Sequence, residues 1–166
     1  MMKHILIING LGGSGKDQFV TYCSQFLSVY NISSVDKVKE AAKILGWNGE
    51  KDEMSRWFLS MLKYLSSKYN DYPYKYIENR INYFLGNSKH DIMFIHIREP
   101  EEIDRVKNNF GCKTILIKNN NIDPITTNDA DAGVENYNYD FVIDNSGTLG
   151  DLKKKAFGFI NIIIGE

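Results

Sequence analysis

The sequence predicts an α/β fold: a mostly parallel sheet with helices on both faces, in three layers. Three observations carry this. Short stretches read apolar throughout, as Ile5-Leu6-Ile7-Ile8 and Ile92-Met93-Phe94-Ile95-His96-Ile97 do, which marks strands buried on both faces. These stretches alternate with segments whose apolar residues recur at helical spacing. The first of them runs straight into a glycine cluster that opens such a segment.

The elements follow in order. Ile5–Ile8 reads as the first strand, and Phe19, Cys23, Phe26, Leu27 and Tyr30 as one face of the helix after the glycine cluster. Asp36 is placed to cap a helix carrying Val38, Ala41, Ala42 and Leu45, stopped by Gly46. Met54, Trp57, Phe58, Met61, Leu62 and Leu65 mark the next helix. Tyr74, Ile77, Ile81 and Phe84, with Pro73 near the start, mark another. This aromatic-rich middle third is either helix packing or a wall for a flat substrate. Ile92–Ile97 is a strand. Pro100 opens a helix with Glu101 and Glu102 in its dipole-favoured first turn, and Gly111 closes it. Thr114–Ile117 and Phe141–Ile143 are further strands. Residues 119–139 lack sustained periodicity and read as a long lid loop. Thr148 and Asp151 form a capping box for a last helix through Leu152, Phe157, Ile160 and Ile163.

Composition narrows the function classes. The 166 residues fit one domain, 1–166, with a core large enough to need no staple. The formal net charge is −1, and no basic stripe argues for a nucleic-acid polymer or a membrane surface. Cys23 and Cys112 lie far apart and form no metal-binding pattern with His4, His90 and His96. Two thiols of this kind, and an N-terminal apolar run too short for a signal peptide, give a cytoplasmic expectation. A homodimer is compatible with all of this.

The chemistry sits in "INGLGGSGKDQF". Gly10, four residues, Gly15 and Lys16 form a phosphate-binding loop of the Walker A kind, in the strand-to-helix setting it requires. Gly12, Gly13 and Gly15 keep side chains away so that backbone N–H groups around Leu11, Ser14 and Gln18 can wrap a phosphate chain. The helix dipole adds to this, and Lys16 reaches the β- and γ-phosphates of ATP. Asp17 stands where a hydroxyl normally binds Mg²⁺. A carboxylate also suits that hard cation, so Asp17 is either a magnesium-shell ligand or an acid that only answers the helix dipole.

"GGSGKDQF" is similar to the loop of two kinase groups in which Asp follows the lysine, the phage-type deoxynucleoside monophosphate kinases and the animal phosphomevalonate kinases. "SSVDKVKEAAKILGW" resembles the segment after the second strand in the phage-type group, which makes five strands in all. "FIHIREPEEIDRVKNNFGCKTILIK" and "DADAGVENYNYDFVIDNSGTLGDL" resemble that group's strand–Arg–helix–Gly–strand unit, lid exit and last strand. The resemblance implies a P-loop NTPase fold. It also implies ATP- and Mg²⁺-dependent transfer of a phosphoryl group onto a small phosphorylated acceptor, a deoxynucleoside monophosphate first. A phosphomevalonate-like or dephospho-coenzyme A-like acceptor, or a module that binds ATP without turnover, are the alternatives.

By that resemblance Arg98 contacts the acceptor or its phosphate, Lys118 stands at the lid entrance, and Asn145 and Gly147 lie against the base. Asp36, Lys39 and Arg56 fall on the acceptor side, with residues 47–88 as the acceptor-binding helical region. Plainer readings stand beside these: ion pairing with Glu99, Glu101 and Glu102 for Arg98, apolar cover by the stem for Arg56, solvation for Lys39. Two departures stand out. His96 replaces the acid of the family's "DxR", and is read as a hydrogen-bonded interior histidine. The segment from Asn119 to Phe141 has no Lys or Arg, and carries Asp123, Asp129, Asp131 and Glu135 instead.

Overall fold

The computed structural model describes residues 2–122 and 133–165. The elements are β1 (His4–Asn9), α1 (Lys16–Cys23), β2 (Val29–Ser33), α2 (Asp36–Ile44), α3 (Glu53–Asn70), α4 (Tyr72–Asn87), β3 (Ile92–His96), α5 (Pro100–Phe110), β4 (Lys113–Lys118), a 3₁₀ turn (Val134–Asn136), β5 (Phe141–Asp144) and α6 (Leu149–Gly165). The strands form one sheet in the order β2-β3-β1-β4-β5, with every pairing parallel. All five strand ends that carry candidate residues therefore point to the same edge.

Alternation along the strands divides the core. Leu6 and Ile8 of β1 and Phe94 of β3 face α1 and α6, packing with Phe19, Cys23, Phe159 and Ile160. Ile7, Met93 and Ile95 face the other way, onto Ile77, Ile81 and Phe84 of α4 and Ile103 and Val106 of α5. The three expected layers are present. Each fully buried side chain of this size contributes about 1.5–3 kcal/mol, and the Phe19 ring meets Phe94 edge-on at 6.4 Å between centroids.

Several local expectations need correction. Tyr30 belongs to β2, not to the first helix, which ends at Cys23. β2 is an edge strand of mixed polarity, so its alternation is weak, and Tyr30 matches helical spacing by coincidence. Asp36 does not cap α2; Val35 occupies that position, and the Asp36 carboxylate accepts from the Ser33 amide at 2.8 Å. On α6, Phe157 is exposed and lies against Phe26 at 4.9 Å, while Phe159 faces the core. α4 buries its apolar face, but α3 has no buried residue, and Met54, Trp57, Tyr64 and Leu65 are exposed. Its apolar periodicity is not core packing.

Other signals stand as read. Thr148 and Asp151 form the reciprocal capping box, with the Asp151 amide on Thr148 Oγ1 at 3.2 Å and the Thr148 amide on Asp151 Oδ2 at 3.0 Å. Gly111 ends α5 in the left-handed region. The turn between α3 and α4 is held at Asp71, itself left-handed, by a bidentate Arg105 fork at 3.0 and 2.6 Å. Both cysteines are free and buried, and burial pushes each thiol up to about 12. No helix among the described residues is long and apolar enough to cross a membrane.

Candidate functional site

β1 is the central strand, and its end delivers the chain into residues 10–15 before α1 begins at Lys16. The loop passes so close to its surroundings that two glycines are obligatory. Gly10, at φ 153°, lies against the Ile117 carbonyl, and Gly15, at φ 96°, against the Asn145 carboxamide. A methyl group at either would collide with polar atoms in a backbone conformation that only glycine adopts readily. Leu11 is buried and floors the loop with Leu116 and Val134. Gly12 and Gln18 are half-buried and Gly13 is exposed.

Lys16 folds back over the loop. Its ammonium donates to the Gly10 carbonyl at 2.6 Å and the Leu11 carbonyl at 2.9 Å. The Ser14 hydroxyl is buried and has no hydrogen-bond partner among the described residues, an orphan that a native site tolerates where a ligand completes it. These residues fit a nucleotide phosphate chain. The loop supplies backbone amides and the α1 dipole, Lys16 supplies a mobile cation, and the Ser14 hydroxyl and amide stand beside them. The metal side is lighter. Asp17 is exposed in the first turn of α1, and no group of three His, Cys, Asp or Glu side chains suited to a metal occurs among the described residues. One carboxylate fits Mg²⁺ shared with phosphates and water, which the ion prefers to an all-protein cage.

The sheet brings most of the other candidates to this edge. Around His96, at the end of β3, stand Asp17, Lys16, Asp36 and Lys39, all close enough to act on its titration. Desolvation is the largest influence and holds the imidazole down to about 4; the two carboxylates raise it and the two lysines lower it. The ring is thus neutral at pH 7, and His96 Nε2 lies 3.0 Å from Asn31 Oδ1, the geometry of a donated hydrogen bond. Asp36 also accepts a long contact, 3.4 Å, from the Tyr76 hydroxyl. Lys39 is exposed on α2.

Arg98 follows β3 and is half-buried. Its acidic neighbours Glu99 and Glu102 pair with Lys63 of α3, each at 2.7 Å. Arg56 stands near Asp52, the N-cap of α3, and electrostatically supports it; no contact joins it to the His96 cluster among those described. Lys118 ends β4 and lies 3.6 Å from Glu135. Asp123, Asp129 and Asp131 fall outside the described residues.

Asn145 turns its carboxamide toward the phosphate loop. It donates to the Ser14 carbonyl at 2.9 Å, and its amide to the Lys118 carbonyl at 2.6 Å, tying the turn after β5 to the phosphate loop. Gly147 packs against the Asp151 carboxylate. The turn is therefore a brace for the loop as much as a wall. Three features escaped the sequence reading: the buried amide of Asn9, the Asn31–His96 pair, and the Lys63 bridge. An Asn ending an apolar strand was the one signal that could have flagged any of them.

No protein-family model matches the chain, and no curated protein matches it in sequence. Solved structures do. A sugar kinase from Janibacter sp. HTCC2649 superposes with a TM-score of 0.57 at 12% identity, covering 98% of this chain and 96% of that one. The tunicamycin resistance protein of Deinococcus radiodurans gives 0.56 at 11%, covering 96% of each. Shikimate kinase from Aquifex aeolicus gives 0.52 at 11%, covering 98% and 99%. The five-stranded parallel sheet with helices on both faces is thus an α/β fold shared with these solved structures.

Proposed function

We propose that this chain is an ATP-dependent kinase that transfers the γ-phosphoryl group to a small phosphorylated acceptor, a deoxynucleoside monophosphate first. The observation that carries the reading is the convergence on one sheet edge of a glycine-lined loop with Lys16 and of Asp36 and Lys39 of α2 around His96. The structural neighbours, two of them described as kinases, support the fold half of the argument.

In this reading the loop amides and Lys16 hold the β- and γ-phosphates, and the Lys16 ammonium leaves the Gly10 and Leu11 carbonyls to follow the charge. Arg98 and Lys39 neutralise the acceptor's phosphate. Asp17 would help hold Mg²⁺, which when bound would supply charge offset on the phosphate chain. An acceptor phosphate is already an anion and needs no strong base, so positioning and charge neutralisation carry the rate.

Asp36 favours a second reading. A carboxylate on the acceptor side repels a phosphate but suits an alcohol, whose proton it can accept. The names of the sugar and shikimate kinases point the same way. ADP release measured with ATP, Mg²⁺ and separate panels of nucleoside monophosphates, phosphorylated isoprenoid alcohols and unphosphorylated polyols decides among these. Stimulation by the monophosphates alone supports the first reading, and by polyols alone the second. ATP binding with no stimulated turnover leaves a regulatory module.

A further inference from the structure

Asn9 ends the central strand with a side chain that is 1% exposed. Its Oδ1 accepts the Gly10 amide at 2.9 Å. Its Nδ2 donates twice, to the Arg98 carbonyl at 3.1 Å and to the Tyr139 hydroxyl at 2.9 Å. That hydroxyl in turn donates to the Val134 carbonyl at 2.7 Å. The chain of bonds fixes the carboxamide's orientation, because a flipped amide would set its oxygen against the Arg98 carbonyl and its NH₂ against the Gly10 amide. Below it, Tyr139 and Ile122 pack on Leu11, Leu116 and Val134.

One buried side chain thus touches the start of the phosphate loop, the backbone of Arg98 and the segment that leads into β5. A buried polar network is favourable when every member is satisfied and costly when one is lost. Residues 133–139 cannot shift without unpairing Asn9, and Asn9 cannot shift without unpairing Gly10 and Arg98. The Tyr139 phenol is suited to this, since burial pushes it up to about 12 and it stays a donor at working pH.

We propose that Asn9 is a positioning residue that couples the segment 133–139, through Tyr139, to the placement of Gly10 and Arg98. Its kinetic consequence rests on the phosphoryl-transfer reading; the coupling itself does not.

The test is backbone hydrogen exchange on the full chain, wild type against Tyr139→Phe and Asn9→Asp, with melting curves to confirm folding. Tyr137→Phe is the control, since its hydroxyl faces Asp104 instead, at 2.6 Å. Tyr139→Phe is expected to speed exchange at residues 10–13 at least threefold, more than a hundred residues away in sequence, while Tyr137→Phe leaves them unchanged. With an active acceptor, Tyr139→Phe lowers kcat about tenfold and leaves the KM for ATP within twofold. Wild-type exchange at residues 10–13 in Tyr139→Phe and Asn9→Asp overturns the coupling. Altered exchange with an unchanged kcat overturns the positioning role. If wild type itself turns over no acceptor, the phosphoryl-transfer reading fails, and the exchange result still decides the coupling.

Discussion

The phosphate-loop end and the α3 arm are built on opposite principles. The loop is determined several times over: Gly10 and Gly15 have no room to move, Asn145 braces Ser14, Asn9 holds Gly10, and Leu11 is seated in a buried cluster. α3 has eighteen residues and buries none of them. It is held at its C-terminal end by the Asp71–Arg105 fork and in its middle by Lys63 on Glu99 and Glu102. The difference teaches that the geometry of the glycine loop is preformed, whereas the α3 arm is tied to the rest of the molecule by polar contacts at its surface.

The largest test of that contrast is Lys16→Met. It removes the mobile cation from a rigid frame, so turnover should fall by about 10²–10³-fold in a steady-state ADP assay while the melting temperature holds. A large drop in melting temperature instead would show that Lys16 is part of the brace. Next is Gly15→Ala, which forces a left-handed alanine into the Asn145 carboxamide. It should cost about 1–3 kcal/mol in a denaturant titration and abolish ATP binding by calorimetry. Tolerance of the methyl group would mean that the loop is softer than its contacts indicate.

On the arm, Lys63→Met leaves two carboxylates facing each other without their cation. Breaking a buried pair costs more than this; Glu99 is 41% exposed, so solvent screens part of the loss, and about 1–2 kcal/mol is expected. The melting temperature should fall roughly 2–8 °C, and the acceptor KM should rise several-fold with the ATP KM unchanged. A matching rise in both would put the arm and the loop under one control.

His96 gives a pH test between the two regions. Its pKa is about 4 folded against 6.5 for an ordinary histidine, so the unfolded chain binds more protons between those values. Stability therefore falls as pH drops from 6.5 to 4, by about 2 kcal/mol after allowance for partial exposure, and His96→Asn flattens that slope in urea titrations. The smallest effect belongs to Cys23 and Cys112. With thiols this far from ionised, native protein should resist alkylation at pH 8 and lose no activity.

The same contrast explains what the sequence could show. β1, β3, β4 and the loop were legible because burial on both faces and a tight glycine turn each demand a narrow set of residues, while β5, at the sheet edge, has no fully buried residue despite its apolar run. α3 and α4 have the same apolar period, yet only α4 is buried, since periodicity reports a face and not what covers it. β2 hid because an edge strand is half wet and Tyr30 echoed the helix before it. Asn9 and Lys63 act through tertiary contacts across about 130 and 36 residues, and no local pattern marks such partners. Asn145 was placed in the right turn, with its carboxamide turned inward to the loop.

The strand order has one more consequence, for the chain as it leaves the ribosome. β1 pairs with Ile92–His96 on one side and Lys113–Leu116 on the other, so the centre of the sheet is synthesised first and completed late. At the usual pace of synthesis, Ile5–Ile8 must wait roughly 4–20 s for its first partner strand. In that interval four consecutive β-branched and aliphatic residues stand unpaired, a natural foothold for a chaperone and the place where a misfolded nascent chain would first stick.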